Sequence, residues 1–368
     1  MRTIVVSAVN LNTGGTLTIL RDCLQYLSGL AEKENCRIVA LVYKKELAYY
    51  PNIEYVEIQW SKKAWIMRLW CEYVTMRKIS KRLAPVVLWL SLHDTTPNVV
   101  ADRRAVYCHN PFPFYRWKMC ECFFSPKVVL FSLFSRYAYE INIHRNTYVI
   151  VQQQWIRREF EKLFGLGEEK IIVAPPEYKP VKRDMHPVPE SEEFSFLYAT
   201  APNSHKNIEC LCEATRLLQK KSPELDFKVY VTVRGDENNY ARWLYKSWAQ
   251  RTSRLCFVGF LKREELFEYY QRCDCLVFPS KVETWGLPVT EFAAWRKPML
   301  VSDLPYAYET AAGCSDVSFF HPENPEELAE KMEKLIRGDR SFLTDVAKQE
   351  TGSPKAGSWN ELFNILLA

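Results

Sequence analysis

Two glutamates, Glu283 and Glu291, stand with seven residues between them in a segment whose pattern is strand, polar loop and helix. Glu283 lies in the loop, and Glu291 lies about one turn inside the predicted helix. Because helical side chains lean toward the helix N terminus, both carboxylates can face one ligand. A carboxylate accepts hydrogen bonds in pairs, so this pair suits a ligand rich in neighbouring hydroxyls, such as a ribose and a sugar.

The residues around this pair also suit a phosphate. The loop follows a predicted strand, 275–279, and therefore lies at the carboxyl edge of a sheet, where ligands of open α/β sheets bind. The mouth of the helix offers free amides to a phosphate. Pro288 fits the first helical turn because it lacks the amide that would go unpaired there, and Gly286 lets a ligand approach the backbone closely. The alternative, two solvated acids at a helix start, accounts less well for these neighbours.

The elements that must position this segment alternate between short apolar strands and amphipathic helices. The first helix has a predicted buried stripe of Leu17, Leu20, Leu24 and Leu27. In the N-terminal half the pattern predicts strands at 3–9, 37–42, 86–92, 105–108, 128–132 and 147–151. In the C-terminal half it predicts strands at 194–199, 227–233, 255–258, 275–279 and 298–302, and helices at 207–221, 263–272, 288–296 and 325–336. This alternation predicts mostly parallel sheets covered by helices, which is the doubly wound α/β class.

The length of 368 residues predicts two domains, because it exceeds the size at which a single hydrophobic core stops growing. Five prolines among charged residues between 174 and 193 predict the linker. The boundaries are 1–178 for the N-terminal domain, 179–192 for the Pro-rich linker and 193–350 for the C-terminal domain. The terminal segment 351–368 must pack against something to stay ordered, and we expect it to cross back to the first domain.

Composition excludes several classes of protein. Hydrophobic residues at 48% and charged residues at 25% indicate a folded soluble chain, and the net charge of +5 is too mild for dedicated nucleic-acid binding. Twelve scattered cysteines predict free thiols in a reducing compartment rather than disulfides or zinc ligands. The start of the chain carries no export signal and no apolar run is long enough to span a bilayer, so a cytoplasmic location is expected. A dinucleotide dehydrogenase is disfavoured because neither domain's first strand is followed by a glycine fingerprint.

In this setting the chain resembles the retaining glycosyltransferases of family 4 (glycosyl transferases group 1), which have the GT-B fold. The resemblance rests on the Glu-x7-Glu spacing of Glu283 and Glu291, on Gly286-Leu287-Pro288 between them, and on the flanking runs Phe257-Val258-Gly259 and Phe278-Pro279-Ser280. It implies two Rossmann-like, doubly wound domains facing across a cleft. The N-terminal domain would bind the acceptor and the C-terminal domain the nucleotide-sugar donor.

The same resemblance implies a role for each residue of the donor segment. Glu283 would contact the donor sugar near the reacting carbon, and Glu291 would bind the ribose. The backbone of Trp285, Gly286, Leu287 and Pro288 would bind sugar and phosphate, and Phe257 and Val258 would lie beside the nucleobase. Lys206 would neutralise the departing diphosphate.

The chain departs from the family pattern at one place. The family carries a Gly-Arg pair six and five residues before the lysine, where this chain has Thr200 and Ala201. Arg234 and His205 are the candidate replacements for the missing cation, and the alternative is that the donor phosphate is held more weakly.

Three sets of residues in the first domain are candidates for the opposite side of the site. Gly14 and Gly15 follow the first strand and open the first helix, where a Gly-Gly turn presents amides to the donor. His109 and Asn110 begin a proline-aromatic loop after the strand 105–108, and the resemblance places a cleft histidine here, near the sugar and the acceptor hydroxyl. His93 and Asp94 follow the strand 86–92, and we expect acceptor-side contacts from them.

The segment 62–83 holds seven basic residues against one acid, Glu72, interleaved with aromatic and aliphatic residues. Two interpretations stay open. This segment can lie on an anionic membrane, in which case the acceptor would be lipid-linked. Alternatively it is an ordinary surface helix whose apolar face covers the first sheet.

The resemblance implies the transfer of a hexosyl unit from a nucleoside-diphosphate sugar to an acceptor hydroxyl with retention at the anomeric carbon. The setting would be surface polysaccharide or glycolipid synthesis, with a saccharide or lipid-linked saccharide as acceptor and possible peripheral contact with the inner face of an anionic cytoplasmic membrane. No metal, cofactor or nucleic acid is expected. The alternatives are a non-catalytic nucleotide-sugar-binding subunit, which the loss of the Gly-Arg pair favours, and a sugar-nucleotide epimerase of related architecture.

Overall fold

The computed structural model describes residues 2–119, 121–177 and 193–368. The chain forms two compact units. The first unit is Met1–Pro111, Phe134–Glu177 and Glu350–Ala368, and the second is Phe112–Leu133 and Tyr178–Gln349. The predicted linker 179–192 lies outside the described residues. Residues 112–133, which the sequence assigned to the N-terminal domain, group with the second unit.

The first unit is built on a seven-stranded, all-parallel sheet with the order β3-β2-β1-β4-β5-β6-β7. Its strands are β1 (Thr3–Ala8), β2 (Arg37–Val42), β3 (Ile53–Glu57), β4 (Leu88–Ser91), β5 (Arg103–Tyr107), β6 (Tyr148–Val151) and β7 (Ile171–Val173). From β1 the chain adds strands first toward one edge of the sheet and then, from β4 onward, toward the other edge. Ligands of such sheets bind at this switch point between β1 and β4. The strands β3 and β7 are additional to those predicted from the sequence.

The second unit is built on a six-stranded parallel sheet with the order β10-β9-β8-β11-β12-β13. Its strands are β8 (Phe194–Tyr198), β9 (Phe227–Val231), β10 (Leu255–Phe257), β11 (Cys275–Phe278), β12 (Met299–Ser302) and β13 (Val317–Phe320). The reversal here lies between β8 and β11, whose pairing aligns Cys275 with Phe196 and Leu276 with Leu197. The loops that leave these two strands are therefore neighbours.

Helices cover both sheets. They are α1 (Gly14–Glu34), α2 (Trp65–Trp70), α3 (Met76–Leu83), α4 (Glu121–Phe124), α5 (Pro126–Glu140), α6 (Gln154–Phe164), α7 (Ile208–Lys221), α8 (Asn239–Trp248), α9 (Arg263–Arg272), α10 (Leu287–Ala293), α11 (Pro305–Thr310), α12 (Pro325–Ile336) and α13 (Trp359–Leu367). A π-helical turn, Cys71–Thr75, joins α2 to α3. The predicted stripe of leucines on α1 is confirmed, since all four are buried in the core of the first unit.

The predicted strand 128–132 is wrong, because these residues lie in helix α5. The buried positions are Val129, Ser132, Ser135 and Tyr139, a spacing of three to four residues that marks one face of a helix. Leu130, Leu133 and Phe134, which lie between them, are exposed. A short apolar run does not by itself separate a strand from a helix.

The C-terminal segment packs on the first unit. Ala356 donates a backbone hydrogen bond to Val173 at 2.9 Å, and α13 buries its apolar face in the core of the first sheet. Arg157, which is fully buried, donates to the carbonyl oxygens of Gly352 (2.9 Å) and Ser353 (2.7 Å). The guanidinium thus pairs two carbonyl oxygens of the C-terminal segment and ties that segment to α6.

The described cysteines are free thiols, and most are buried. Within residues 2–119, 121–177 and 193–368, the helices are all too short or too polar to cross a bilayer.

Candidate active site

The ends of β8 and β11 meet at the reversal point of the second sheet. Asn207 holds the two loops together, because its side-chain amide donates to the carbonyl oxygens of Pro279 (3.0 Å) and Pro322 (2.7 Å). Asn207 adopts the left-handed backbone conformation and occupies the N-cap position of α7, which begins one residue later than predicted. Tyr198 at the end of β8 donates to the carbonyl oxygen of Lys206 at 2.7 Å. These bonds fix the turn that carries Lys206.

Lys206 and Glu283 form an ion pair at this point. The lysine Nζ lies 2.5 Å from the Oε1 atom of Glu283, and the two side chains are 19% and 10% exposed. The two side chains lie side by side with little solvent contact. Each can exchange its partner for a ligand group: the lysine can bind an anion, and the glutamate can accept a hydrogen bond from a hydroxyl.

The left-handed conformation of Gly286 shapes the mouth of helix α10. Its φ is 98°, and a Cβ added there would lie 3.4 Å from the Phe278 ring. The helix starts at Leu287 with Pro288 in its first turn and ends at Ala293, three residues before the predicted end. Gly286 therefore turns the backbone so that the loop enters the helix without a side chain over its first amides.

The loop before the helix is braced from two sides. The indole of Trp285 donates to the Thr290 hydroxyl at 2.9 Å, and the Thr310 hydroxyl on α11 donates to the carbonyl oxygen of Trp285. These contacts hold the loop at both its side chain and its backbone.

Glu291 points toward helix α9. Its Oε2 atom accepts a hydrogen bond from the Tyr270 hydroxyl at 3.1 Å, and its Oε1 atom lies 3.7 Å from Arg263. Burial raises the pKa of Glu291, against the opposing effects of Tyr270 and Arg263. Tyr270 and Arg263 therefore orient this carboxylate through its two oxygens.

Phe257 ends strand β10, which lies two strands away from β8, and Val258 follows it. Val258 donates its amide to the carbonyl oxygen of Val231 at 3.0 Å, and the Phe257 ring packs 5.4 Å from that of Tyr245. Gly259 follows with a φ of 79°, and a Cβ there would lie 3.6 Å from the Cβ of Arg234. Arg234 thus lies beside the residues predicted to border the nucleobase.

Thr200 and Ala201 follow strand β8, at the positions where the resemblance implies a Gly-Arg pair. The amide of Thr200 donates to the Thr232 hydroxyl at 2.7 Å, and that hydroxyl donates back to the Thr200 carbonyl at 2.8 Å. Arg234 on the next loop is exposed and bonds to Asp236 at 2.7 Å.

His205 differs from Arg234 in its charge. Burial lowers the pKa of His205 well below its ordinary value, and the positive charges of Lys206 and Lys281 lower it further. Its ring packs edge-on against Phe112 at 5.1 Å. His205 is therefore neutral near pH 7, and of the two candidate replacements only Arg234 carries a positive charge.

In the first unit, Gly14 begins helix α1 in the left-handed conformation with a φ of 66°, and nothing lies within 4 Å of a Cβ added there. Thr13 makes no side-chain cap, and Gly14 and Gly15 are exposed. The first amides of a 21-residue helix are therefore accessible at the end of β1.

His93 is fully buried in a polar cluster beneath the same sheet edge. Its Nε2 atom lies 2.9 Å from the Ser7 hydroxyl and 3.1 Å from the Ser91 hydroxyl, and its Nδ1 atom lies 3.1 Å from the Thr95 hydroxyl. Burial lowers the pKa of His93 to about 4, so the ring is neutral near pH 7. In this structure the ring contacts protein on both nitrogens and is not open to solvent.

Asp94 links this cluster to the loop that carries His109 and Asn110. Its Oδ1 atom accepts the backbone amide of His109 at 2.6 Å, and burial raises the pKa of Asp94 to about 6. The His109 ring packs 4.3 Å from that of Tyr107, and burial lowers the pKa of His109 to about 3. The carbonyl oxygen of Asn110 accepts a hydrogen bond from Tyr139 at 3.1 Å. Asp94 is thus a positioning residue for a neutral His109.

Sequence reasoning missed the supporting residues Tyr198, Asn207, Tyr270 and Thr310. Each comes from a different element and reaches the site through a hydroxyl or amide on an otherwise ordinary helix or strand. Of these four, only Asn207 gives a local signal, because asparagine adopts the left-handed conformation more readily than most residues. Within the described parts of the chain, no group of three or more His, Cys, Asp or Glu is arranged to hold a metal ion.

Comparison with known proteins identifies relatives of this chain. Residues 181–350 match the family model described as glycosyl transferases group 1. The O-antigen chain mannosyltransferase RfbU of Salmonella typhimurium is 22% identical over 274 residues, which are 73% of this chain and 71% of that protein. The serotype-specific mannosyltransferase WbdA of Escherichia coli is 28% identical over 166 residues, which are 44% of this chain and only 20% of that protein.

Solved structures share the architecture over most of the chain. The lipopolysaccharide outer core galactosyltransferase WaaB in its apo form has a TM-score of 0.59 at 12% identity, covering 95% of this chain and 92% of its own. Sucrose-phosphate synthase from Thermosynechococcus elongatus has a TM-score of 0.64 at 14% identity, covering 94% and 92%. The chain therefore has the two-domain, Rossmann-like GT-B fold, and its residues 181–350 carry the sequence pattern of the group 1 glycosyl transferases.

Proposed function

We propose that this protein is a retaining, family 4 glycosyltransferase that moves a hexosyl unit from a nucleoside-diphosphate sugar to an acceptor hydroxyl in surface polysaccharide or glycolipid synthesis. The observation that carries the proposal is the Lys206–Glu283 pair, held where β8 and β11 end and beside the glycine-led mouth of α10. The match to the group 1 family and the names of the two mannosyltransferase relatives support the same reaction class.

Each part of the donor has a chemically suitable partner. Glu291, oriented by Tyr270, accepts the ribose hydroxyls, and Phe257 and Val258 border the base. Glu283 accepts a hydroxyl of the sugar. The amides at the mouth of α10 and the Lys206 ammonium hold the diphosphate, because both present positive charge to it.

The reaction breaks the bond between the anomeric carbon and the phosphate oxygen and forms a bond from the acceptor oxygen to the same face of that carbon. The acceptor proton passes to the departing phosphate oxygen. Lys206 and the helix-mouth amides stabilise the charge on that leaving group, and this is electrostatic catalysis by groups that are already oriented. The amides of Gly14 and Gly15 in the first unit are proposed to add to it.

His109 acts without a charge in this proposal. Because burial lowers its pKa to about 3, the neutral ring accepts or donates a hydrogen bond near the sugar and the acceptor hydroxyl. Asp94 holds the His109 loop through the His109 amide, and His93, Asp94 and Asn110 lie on the acceptor side in this proposal.

We also propose that the reaction needs no metal ion, since Lys206 and backbone amides supply the positive charge that the diphosphate requires. The test is the transfer rate before and after dialysis against a strong chelator. The proposal expects equal rates, and a loss that returns with added Mg²⁺ or Mn²⁺ would contradict it.

The experiment that tests the function incubates the protein with GDP-mannose, UDP-glucose, UDP-galactose or UDP-N-acetylglucosamine and a panel of saccharide acceptors. The proposal expects release of nucleoside diphosphate with one donor, acceleration by acceptor, and a product whose anomeric configuration by NMR equals that of the donor. Inversion of configuration would contradict retention, and product without acceptor that is an epimerised donor would identify an epimerase.

A second candidate is a non-catalytic nucleotide-sugar-binding subunit. The observation that favours it is the local structure at Thr200 and Ala201, where no arginine stands and where the neighbouring His205 is neutral. Binding of a donor with neither hydrolysis nor transfer, unchanged by replacement of Arg234, would favour this candidate.

The proposed setting is the cytoplasm, at the inner face of the cytoplasmic membrane, with a saccharide or lipid-linked saccharide as acceptor. The support for membrane contact is the basic and aromatic segment 62–83. A soluble oligosaccharide acceptor that is used as well as its lipid-linked form would contradict the membrane setting.

A further inference from the structure

Helix α4 packs on the second unit although its sequence belongs to the N-terminal half. Residues 112–133 lie between strands β5 and β6 of the first sheet in the sequence, yet they group with the second unit. The Phe124 ring stacks on that of Trp243 on α8 with 4.6 Å between centroids, and the Lys118 ammonium lies 2.8 Å from the Glu323 carboxylate. Helix α4 is therefore held against the unit that carries the proposed donor site.

The carboxylate of Glu121 on α4 is buried beside Lys281. Glu121 is 1% exposed, and its Oε1 atom lies 3.6 Å from the Lys281 ammonium. Tyr115 donates its hydroxyl to the Oε2 atom at 2.7 Å, and the backbone amide of Lys118 donates to Oε1 at 3.1 Å. Because a buried carboxylate without a counter-charge is strongly destabilising, Lys281 stabilises Glu121 and is held by it in return.

Glu209, in the first turn of α7, is a second partner of Lys281. Its Oε1 atom lies 3.1 Å from the lysine Nζ, and the Tyr240 hydroxyl donates to its other oxygen. The Lys281 side chain is itself only 10% exposed. One ammonium is thus held by two carboxylates, which come from helices in different halves of the sequence.

The backbone of Lys281 belongs to the loop 279–283, which ends at Glu283. The amide of Lys281 donates to the carbonyl oxygen of His205 at 2.8 Å, and His205 directly precedes Lys206. Glu283 follows Lys281 by two residues. The position of the Lys281 backbone therefore affects both members of the Lys206–Glu283 pair.

We infer that Lys281 and Glu121 are positioning residues for Glu283. Their ion pair fixes the loop 279–283, so that the Glu283 carboxylate lies where it meets the sugar of the donor. This role rests on the proposed function, in which Glu283 accepts a hydroxyl of that sugar, and it assigns to α4 a part in binding the sugar. The nucleotide part of the donor is held by Glu291 on α10 and does not depend on this ion pair.

A purely structural role for the ion pair would have a different signature. Loss of folded protein lowers the binding of a nucleoside diphosphate and of its sugar in proportion, because both need the folded second unit. Displacement of Glu283 weakens only the contacts of the sugar. The ratio of the two affinities therefore separates the two roles.

The test measures calorimetric binding of a nucleoside diphosphate and of its sugar to the full chain, together with transfer rates. Glu121→Gln removes the charge and keeps the shape, and a glutamine can keep the hydrogen bonds with Tyr115 and with the Lys118 amide. We expect unchanged affinity for the diphosphate, lower affinity for its sugar, and kcat lower by roughly 10- to 100-fold, because a small displacement of a positioned group costs up to that much. Lys281→Met should act in the same direction.

Glu213→Gln is the matched control. Glu213 lies one turn after Glu209 on α7 and pairs with Arg216 at 2.6 Å, with both side chains 30% exposed. This variant should change neither the affinity ratio nor kcat. If Glu121→Gln behaves as the control does, or loses affinity for both ligands by the same factor, the positioning role is overturned.

Hydrogen exchange in the substrate-free protein tests the positioning without any donor. The Lys281 amide, which is bonded to the His205 carbonyl, should exchange faster in Glu121→Gln and in Lys281→Met than in Glu213→Gln. Equal exchange in the three variants would overturn the inference whether or not the wild type binds a donor. A wild type that binds no donor contradicts the proposed function, and the role toward the sugar then fails with it, whereas normal transfer by Glu121→Gln overturns the positioning role alone.

Discussion

Replacing Lys206 by methionine tests the ion pair at the centre of the proposed donor site. Methionine keeps the length of the side chain and removes its charge. The carboxylate of Glu283, whose side chain is only 10% exposed, would then lose the ammonium that lies 2.5 Å away. Leaving a part-buried charged group without its partner costs about 1–3 kcal/mol. In a domain of this size each kcal/mol lowers the melting temperature by about 2–4 °C.

A double-mutant cycle separates the structural cost from the chemical one. Glu283→Gln should recover most of the stability lost in Lys206→Met, because the unpaired charge is gone. Transfer activity should not recover: loss of a positive group at the leaving diphosphate lowers kcat by roughly 10²–10³. Lys220→Met, at an exposed position on α7, is the control and should change neither quantity.

Thermal unfolding and initial transfer rates of the four proteins in the cycle complete the assay. If Lys206→Met transfers sugar at a rate within about threefold of the wild-type rate, this lysine does not act on the leaving group, because loss of that role should lower the rate at least tenfold further. A melting temperature equal to that of Lys220→Met would refute the structural half of the reasoning.

The remaining predictions concern the helix mouth, the C-terminal segment and pH. Gly286→Ala should lower the free energy of unfolding by about 1–3 kcal/mol and weaken nucleotide binding, because an alanine at a φ of 98° is strained and its Cβ meets Phe278. The control Gly29→Ala on α1 should not destabilise the protein. Chemical denaturation measures the stability of both variants, and calorimetry measures their nucleotide binding. Arg157→Met should destabilise by about 2–4 kcal/mol and raise hydrogen exchange in α13, because it removes the donors that hold the tail; unchanged exchange there would contradict this. Burial lowers the pKa of His93 to about 4 and of His109 to about 3, so the unfolded chain binds more protons below pH about 6.5 and stability should fall from pH 6.5 toward 4. Asp94, with its pKa raised to about 6, opposes part of that fall, and a denaturation series at pH 7, 6 and 5 that shows rising stability would contradict the prediction.

The sequence predicted the parts of the fold that are local in the chain. The strand β11, the loop after it and helix α10 lie within one continuous segment, so the positions of Gly286 and Pro288 could be read from residue types alone. The leucine stripe of α1 could be read from its spacing in the same way. The alternation of strands and helices predicted that the sheets are parallel. It did not predict the order of strands within each sheet, which depends on tertiary contacts.

The residues that sequence reasoning missed act through contacts between distant elements. Tyr270 reaches Glu291 from α9, and Thr310 reaches the Trp285 carbonyl from α11. Neither residue type signals such a contact in its own helix. The buried state of His93 depends on Ser7 and Glu72, which approach it from a different strand and from the π-helical turn. Burial of this kind is set by packing.

The misassigned strand at 128–132 has a similar cause. The run from Val128 to Ser132 has strand-like residue types, but the small hydroxyls of Ser132 and Ser135 continue the buried face of α5. Helical periodicity only shows over the longer window to Tyr139. Within the run, Val129 is buried but Leu130 is exposed, so the core takes only the residues on one face of the helix.

The measurement that tests the central claim most directly is calorimetric titration with the nucleoside diphosphates and their sugars, on the wild type, on Glu291→Ala and on Glu330→Ala. Glu330 is exposed on α12 and serves as the control. We predict micromolar binding of one donor to the wild type and to the control, weakened at least tenfold in Glu291→Ala because two hydrogen bonds to a charged acceptor are lost. No binding to the wild type, or equal binding by Glu291→Ala, would contradict the donor site at 283–291.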